Sequence, residues 1–209
     1  MTDGNPNAPE ATPDEGARLM QAWQQGDDSA FERIVELHSG SVYALLTRFL
    51  GAHPGREDMV QEVFLRVIRA RDRYEPRARF TTWLYRIVFN MCVNEGERAG
   101  RREHLSLDQG RAEDERHERH GVPEPVDEEA EEPDEALERA DRVQTVRAAI
   151  AALPESQRMA LVLAKYHEMP YIEIARVLDS SEKAIKSLMH RARETLRQRL
   201  AGLLMEEPA

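Results

Sequence analysis

Apolar positions recur at helical spacing through most of this chain. From Ala30 to Leu50, the residues Phe31, Ile34, Val35, Val42, Leu45, Leu46, Phe49 and Leu50 fall three or four positions apart and share one helix face. Gly40 is a weak point within that helix, and Gly51 to Gly55, with Pro54, ends it. Arg56-Glu57-Asp58 opens the next helix with two acids where its dipole favours negative charge, and Val60, Val63, Phe64 and Val67 form its stripe. Arg71 to Arg79 contains Pro76 and interrupts helix. Thr81 or Thr82 is then placed to cap a third helix bearing Trp83, Leu84, Ile87, Val88, Met91 and Cys92. Shorter helices follow at Val143 to Ala152, Glu155 to Tyr166, Tyr171 to Leu178 and Ser181 to about Leu200, with Pro154 and Pro170 beside two of the starts. No segment alternates as a strand does, so the expected fold class is all-α, with two small helical domains.

The last two helices are joined by Asp179-Ser180-Ser181, the spacing of a helix-turn-helix. Ile185, Met189, Ala192 and Leu196 are expected on the buried side of the final helix. Lys183, Lys186, Ser187, His190, Arg191 and Arg193 mostly turn outward, a cationic stripe near the N-terminal half, where a recognition helix meets base edges.

Charge sharpens the division. The 209 residues carry a net −10, but 20–102 contribute 13 basic minus 11 acidic, or +2, and 142–209 contribute 11 minus 8, or +3. Residues 103–141 contribute 4 minus 16, or −12. With Val122, Val126 and two alanines as the only aliphatic residues between Arg111 and Glu135, that segment cannot offset the entropy of ordering. The expected organisation is a disordered tail at 1–16, a helical domain at 17–102, an acidic disordered linker at 103–137, a helix-turn-helix domain at 138–203 and a tail at 204–209. At ~3.3 Å per residue the acidic connector from Glu103 to Asp141 reaches about 130 Å, against roughly 70 Å for two turns of DNA.

Several function classes fall away. The longest uncharged apolar runs, Ala148 to Leu153 and Met159 to Ala164, are far short of the ~20 residues of a membrane span, and the N-terminus has no apolar signal core; membrane insertion is not expected and the location is cytoplasmic. The single cysteine, Cys92, forms no internal disulfide and reads as a buried small apolar residue. His117 and His120 stand three apart in the acidic segment with no third ligand in view. There is no phosphate loop, serine elbow or two-histidine helix, so neither catalysis, cofactor nor metal is expected.

Within 21 residues stand Arg66, Arg69, Arg71, Arg73, Tyr74, Arg77, Arg79, Phe80, Trp83, Tyr85 and Arg86. Arginines neutralise phosphates and aromatic faces stack on unpaired bases, a mixture suited to single-stranded or opening DNA. The competing reading is that Phe80, Trp83 and Tyr85 are core residues, and Trp83 lies on the apolar stripe.

These residues resemble the extracytoplasmic-function (ECF) sigma factors of bacterial RNA polymerase. Glu57-Asp58-Met59-Val60-Gln61-Glu62-Val63-Phe64 resembles the family's region 2 helix, and the resemblance implies that Asp58, Gln61 and Phe64 dock on core polymerase. Arg73-Tyr74-Glu75-Pro76, then Phe80-Thr81-Thr82-Trp83-Leu84-Tyr85-Arg86-Ile87 and Asn90, resemble the loop and helix that capture and melt the −10 element. This implies −10 contacts by Arg73, Tyr74, Arg77, Phe80, Trp83, Arg86 and Asn90. Leu153-Pro154-Glu155-Ser156-Gln157-Arg158, Glu173-Ile174-Ala175 and Lys186-Ser187 through Arg193 resemble region 4, implying −35 contacts by Lys183, Lys186, Ser187, His190 and Arg191. The family commonly has Gly where this chain has Asp179, a residue that tolerates left-handed geometry better than most. It also commonly has Gly, Thr and Arg where this chain has Lys183, Ala184 and Leu188. The implied partners are core RNA polymerase, promoter DNA and an anti-sigma factor. The rival reading is an autonomous helix-turn-helix regulator that binds duplex DNA without polymerase.

Overall fold

The computed structural model describes residues 14–51, 53, 55–107 and 133–205. Among these, all regular structure is helical: α1 (Glu15–Gln24), α2 (Ser29–Leu50), α3 (Arg56–Ala70), α4 (Phe80–Leu107), α5 (Pro133–Ala151), α6 (Glu155–Tyr166), α7 (Tyr171–Val177), α8 (Glu182–Arg199) and α9 (Ala201–Met205), with a tight 3-10 turn at Arg71–Arg73. Helices α1 to α4 make the first unit and α5 to α9 the second. Among the described residues no helix is long and apolar enough to cross a membrane.

The first unit begins earlier than expected. Asp14 caps α1, its Oδ1 accepting from the Ala17 N–H at 2.8 Å, while its Oδ2 accepts from the Phe80 N–H at 2.8 Å. One carboxylate therefore satisfies donors at the N-termini of two helices distant in sequence. Asp14, Glu15 and Gly16 belong to the fold rather than to a tail, and neither Thr81 nor Thr82 caps α4, because an anionic acceptor already holds its first N–H. Gly16 is buried against Phe80, and a Cβ at Gly16 would sit 2.5 Å from the ring's Cδ1, so only glycine allows this approach. Residues 1–13 lie outside the described residues.

Met20 of α1, Ile34, Leu45, Leu46 and Phe49 of α2, Val63 and Val67 of α3, and Phe80 and Leu84 of α4 fill the first core; the α2 and α3 residues and Leu84 lie on the expected apolar stripes, and Met20 and Phe80 join them from outside those stripes. Met159 and Leu163 of α6, Ile174 of α7, and Ile185 and Met189 of α8 fill the second. Cys92 is buried, and burial pushes its thiol up to about 12. Helix α4 continues to Leu107 and α5 starts at Pro133, so helix enters both ends of the segment expected as linker at 103–137. A proline at the first helical position costs nothing there, since its missing N–H has no intrahelical acceptor. The acidic run from 108 to 132, His117 and His120 with it, lies outside the described residues, as do 206–209.

The two units pack together, α7 on α4 and α6 on α2, and their buried apolar residues form one continuous cluster. On the α2 side, the Arg158 guanidinium lies 4.4 Å from the Phe49 ring centre and Arg48 lies 4.7 Å from that of Tyr166.

Two predictions follow from this packing. Asp14→Ala removes both caps and should cost about 2 kcal/mol in urea unfolding, and Gly16→Ala should be destabilised through the Phe80 contact; parental stability in both would refute the double cap and the close approach. His38 and His167 are both half-buried or more, and burial lowers each from 6.5, against the Asp14 and Glu15 charges for His38 and with help from Arg48 for His167. A lowered histidine pKa means that the unfolded chain binds protons first. Stability should hold above about pH 6.5 and fall as pH drops below it, read as a declining urea midpoint between pH 7.5 and 5.

Candidate nucleic-acid interface

Three surfaces carry the expected site residues. On α3, Asp58 and Gln61 are exposed and stand in one row with Leu65 and Ile68, which are 46% and 43% exposed. Phe64 is not part of that row. It belongs to the Val63–Phe64–Val67 stripe and is buried in the core, apart from the exposed row in which Asp58 and Gln61 stand. Leu65 and Ile68 were missed in the sequence because they interrupt no periodic pattern; only the burial of their neighbours reveals them as an apolar face left open. Glu62 on the adjoining face accepts from Arg66 at 2.9 Å and pairs with Arg69 at 3.4 Å, and the Arg66 hydrogen bond holds its carboxyl below the usual range.

The second surface is the loop from Arg71 to Arg79 with the first turns of α4. The loop is clamped by α1: the Gln24 amide donates to the Arg71 carbonyl at 2.7 Å and to the Tyr74 carbonyl at 3.0 Å. The Arg71 guanidinium donates to the Trp23 carbonyl and lies 4.9 Å from the centre of that ring, which itself stacks on Phe31. Gln24 and Arg71 are thus positioning residues, invisible in the sequence without a helix read at Glu15–Gln24.

Tyr74 and Phe80, expected to meet bases, are buried instead, at 4% and 0% exposure. Their faces are used by neighbours: Trp83 stands edge-on to Tyr74 at 4.8 Å and tilted against Phe80 at 5.5 Å, and His38 approaches Phe80 at 4.8 Å. Burial pushes the Tyr74 phenol up to about 12. The packing alternative read for Phe80, Trp83 and Tyr85 thus fits Phe80 and Tyr85, both buried, and Tyr74 is buried although that alternative does not include it; Trp83 remains partly exposed. Arg73, Arg77, Arg86 and Asn90 are exposed, with Arg77 paired to Glu75 at 2.5 Å.

The third surface is α8. The Ser181 hydroxyl accepts from the Ala184 N–H at 3.2 Å and caps the helix. Asp179 in the preceding turn adopts φ 50, the left-handed geometry expected for it, and the Ser180 N–H donates to the Ala175 carbonyl at 2.8 Å. Ile185, Met189 and Ala192 are buried and Leu196 is partly buried, which leaves Lys183, Lys186, Ser187, His190 and Arg191 exposed as one stripe. Lys186 pairs with Glu182 at 2.7 Å, the Arg191 Nε–H donates to the Ser187 carbonyl at 3.4 Å, and Arg193 reaches the Tyr171 hydroxyl at 3.3 Å.

Where α7 meets α4, the Glu173 carboxylate accepts from the Thr82 hydroxyl at 3.0 Å and pairs with Arg79 at 3.3 Å. Arg86 pairs with Asp179 at 3.1 Å, and the Tyr85 hydroxyl lies 3.0 Å from His167 Nδ1. Among the described residues no cluster of ligating side chains is arranged for a metal ion.

Two family models match this chain, Sigma-70 region 2 over residues 34–102 and Sigma-70, region 4 over residues 144–196. The RNA polymerase sigma-H factor of Pseudomonas aeruginosa is 30% identical over 203 residues, covering 93% of this chain and 98% of that one. The ECF RNA polymerase sigma-E factor of Escherichia coli K12 is 32% identical over 188 residues, covering 89% and 94%. Among solved structures, the sigma factor RpoE of Bartonella quintana, in complex with the anti-sigma factor NepR, has a similar fold, with a TM-score of 0.60 at 21% identity over 82% of this chain and 96% of that one. These matches favour a sigma factor over the autonomous regulator. With both helical units matched and nearly the whole length shared with such relatives, the chain belongs to the sigma-70 family as an ECF sigma factor, a subunit that directs RNA polymerase to promoters.

Proposed function

We propose a division of labour in which α3 docks the first unit on core polymerase, the 71–79 loop and exposed face of α4 capture and open the −10 element, and α8 reads the −35 element in the major groove. The observation that carries this reading is the stripe of Lys183, Lys186, Ser187, His190 and Arg191 on a helix that follows a three-residue turn, on the unit matched by region 4. The open row Asp58, Gln61, Leu65 and Ile68 supports α3 as the protein-docking face, since exposed apolar side chains flanked by polar ones suit association. Arg73 and Arg77 of the 71–79 loop with Arg86 and Asn90 of α4 supply phosphate and polar contacts, Trp83 offers a partly open ring, and Tyr74 and Phe80 hold it in place. Residues 103–137 act as the tether between the units. The chain itself performs no catalysis, works in the cytoplasm with its polymerase, and is bound by an anti-sigma factor; the Bartonella quintana neighbour, which is in complex with one, supports this.

Leu65→Ala with Ile68→Ala, or Asp58→Ala with Gln61→Ala, should weaken association with core polymerase about tenfold while leaving urea unfolding unchanged. Phe64→Ala should instead cost roughly 3–5 kcal/mol of stability. The reverse pattern would move the docking face elsewhere. Lys186→Ala with Arg191→Ala should lower promoter occupancy by the reconstituted holoenzyme and flatten the log K against log salt slope by about 1–2. Transcription and slope equal to the parent would remove α8 from the reading.

A further inference from the structure

Helix α8 carries a single acid in its first three turns. Between Ser180 and Arg193 the sequence sets Lys183, Lys186, His190, Arg191 and Arg193 against Glu182 alone. Phosphates repel a carboxylate on a surface that faces them, so one placed there needs a contact that offsets the repulsion. Capping does not supply it, because the Ser181 hydroxyl already accepts from the Ala184 N–H at 3.2 Å. Glu182 stands one turn before Lys186 and two before His190, at the head of a row on the cationic stripe, and its Oε1 lies 2.7 Å from Lys186 Nζ. The two side chains are 42% and 63% exposed, and an exposed pair of this kind adds little to helix stability. What it fixes is a pattern: an acceptor and a donor side by side at the end of the helix that meets base edges.

Each partner keeps bonding capacity. An ammonium has three donors and a carboxylate about four lone-pair sites, and the contact between them uses one of each. In the major groove a G·C pair presents the guanine N7 and O6 acceptors and then, directly beside O6, the cytosine N4 donor. Laid along that edge, Lys186 donates to guanine and Glu182 accepts from cytosine N4 with the ion pair intact. A·T and C·G pairs reverse the two central groups, which sets donor against donor and acceptor against carboxylate. A T·A pair keeps their order but places the thymine methyl where N7 would meet the ammonium. We propose that the Glu182–Lys186 ion pair reads one G·C base pair of the −35 element as a unit, with Glu182 a specificity-determining residue. This rests on the assignment of α8 to the −35 element. The pair enters the groove electrically neutral, so it contributes choice of base, while Lys183 and Arg191 on the adjacent row supply attraction to phosphate.

The test reconstitutes holoenzyme from core polymerase and the full chain. Bound promoters are selected from a library built on a promoter that this holoenzyme transcribes, randomised through its −35 element. The parent should enrich G at one position about tenfold over A and C, with T between them. Glu182→Ala and Lys186→Ala should each flatten that same position, the double variant no further than either single one, and leave base preference elsewhere in the element as in the parent. Glu182→Gln keeps the side chain's length and an acceptor oxygen but adds a donor, and should admit A there. If Glu182→Ala raises binding to every sequence and alters no base preference, the carboxylate is only a surface charge and the proposal is overturned. Flattening of different positions by Glu182→Ala and Lys186→Ala overturns reading by the pair as a unit. Failure of the α8 assignment itself would look different, since the parent would then select no base anywhere in the −35 window.

Discussion

Two helix N-termini converge on one carboxylate, and the first unit is organised around that convergence. A helix leaves its first N–H groups without intrahelical partners, and burying such an end without an acceptor is costly. Asp14 provides the acceptor for α1 and α4 together, which sets the start of α4 against the start of α1. Gly16 lets the two backbones approach closely enough for this to happen. Once α4 begins there, the segment before it has to cross from the end of α3 over α1, where Gln24 and Arg71 hold its carbonyls and its arginine. The basic loop is therefore positioned by the Asp14 cap where it ends and by the Gln24 and Arg71 contacts to α1 along its course.

Helix α4 serves two environments with one sequence. Phe80, Leu84, Val88 and Met91 face the core, and Arg86 and Asn90 face outward at helical spacing between them. A helix with this division keeps its charged side pre-aligned, because rotating it to hide the arginines would expose the phenylalanine and leucine. The same economy is seen in α8, where Ile185, Met189 and Ala192 anchor the helix and orient the cationic stripe. In both cases apolar burial stabilises the element and leaves the polar face available for recognition.

Most of the architecture was legible in the chain. The boundaries of α2, α3 and α6 lie within a residue of the apolar periodicity, and the turn ending at Ser181 was marked by its polar composition. Helix α1 was not read, because its short stripe of Ala17, Met20 and Trp23 lies beside an acidic, proline-rich segment that dominates the local composition. The aromatic residues were harder. Tyr74, Phe80 and Phe64 have the same composition signature whether they stack on a base or on one another, and only three-dimensional packing decides. The pairing of Glu173 and Asp179 with arginines 80 to 100 residues away carries no local signature at all, since each is an ordinary acid on an ordinary helical unit.

Both tryptophans of this chain stand at the margins of the 71–79 loop. Trp23 lies beneath the Arg71 guanidinium at one end, and Trp83 meets the Tyr74 ring at the other. Indole emission is sensitive to such neighbours. The molecule thus carries a built-in optical gauge whose ultraviolet signal tracks the shape of one short stretch of backbone, with no dye attached and no other indole to dilute it.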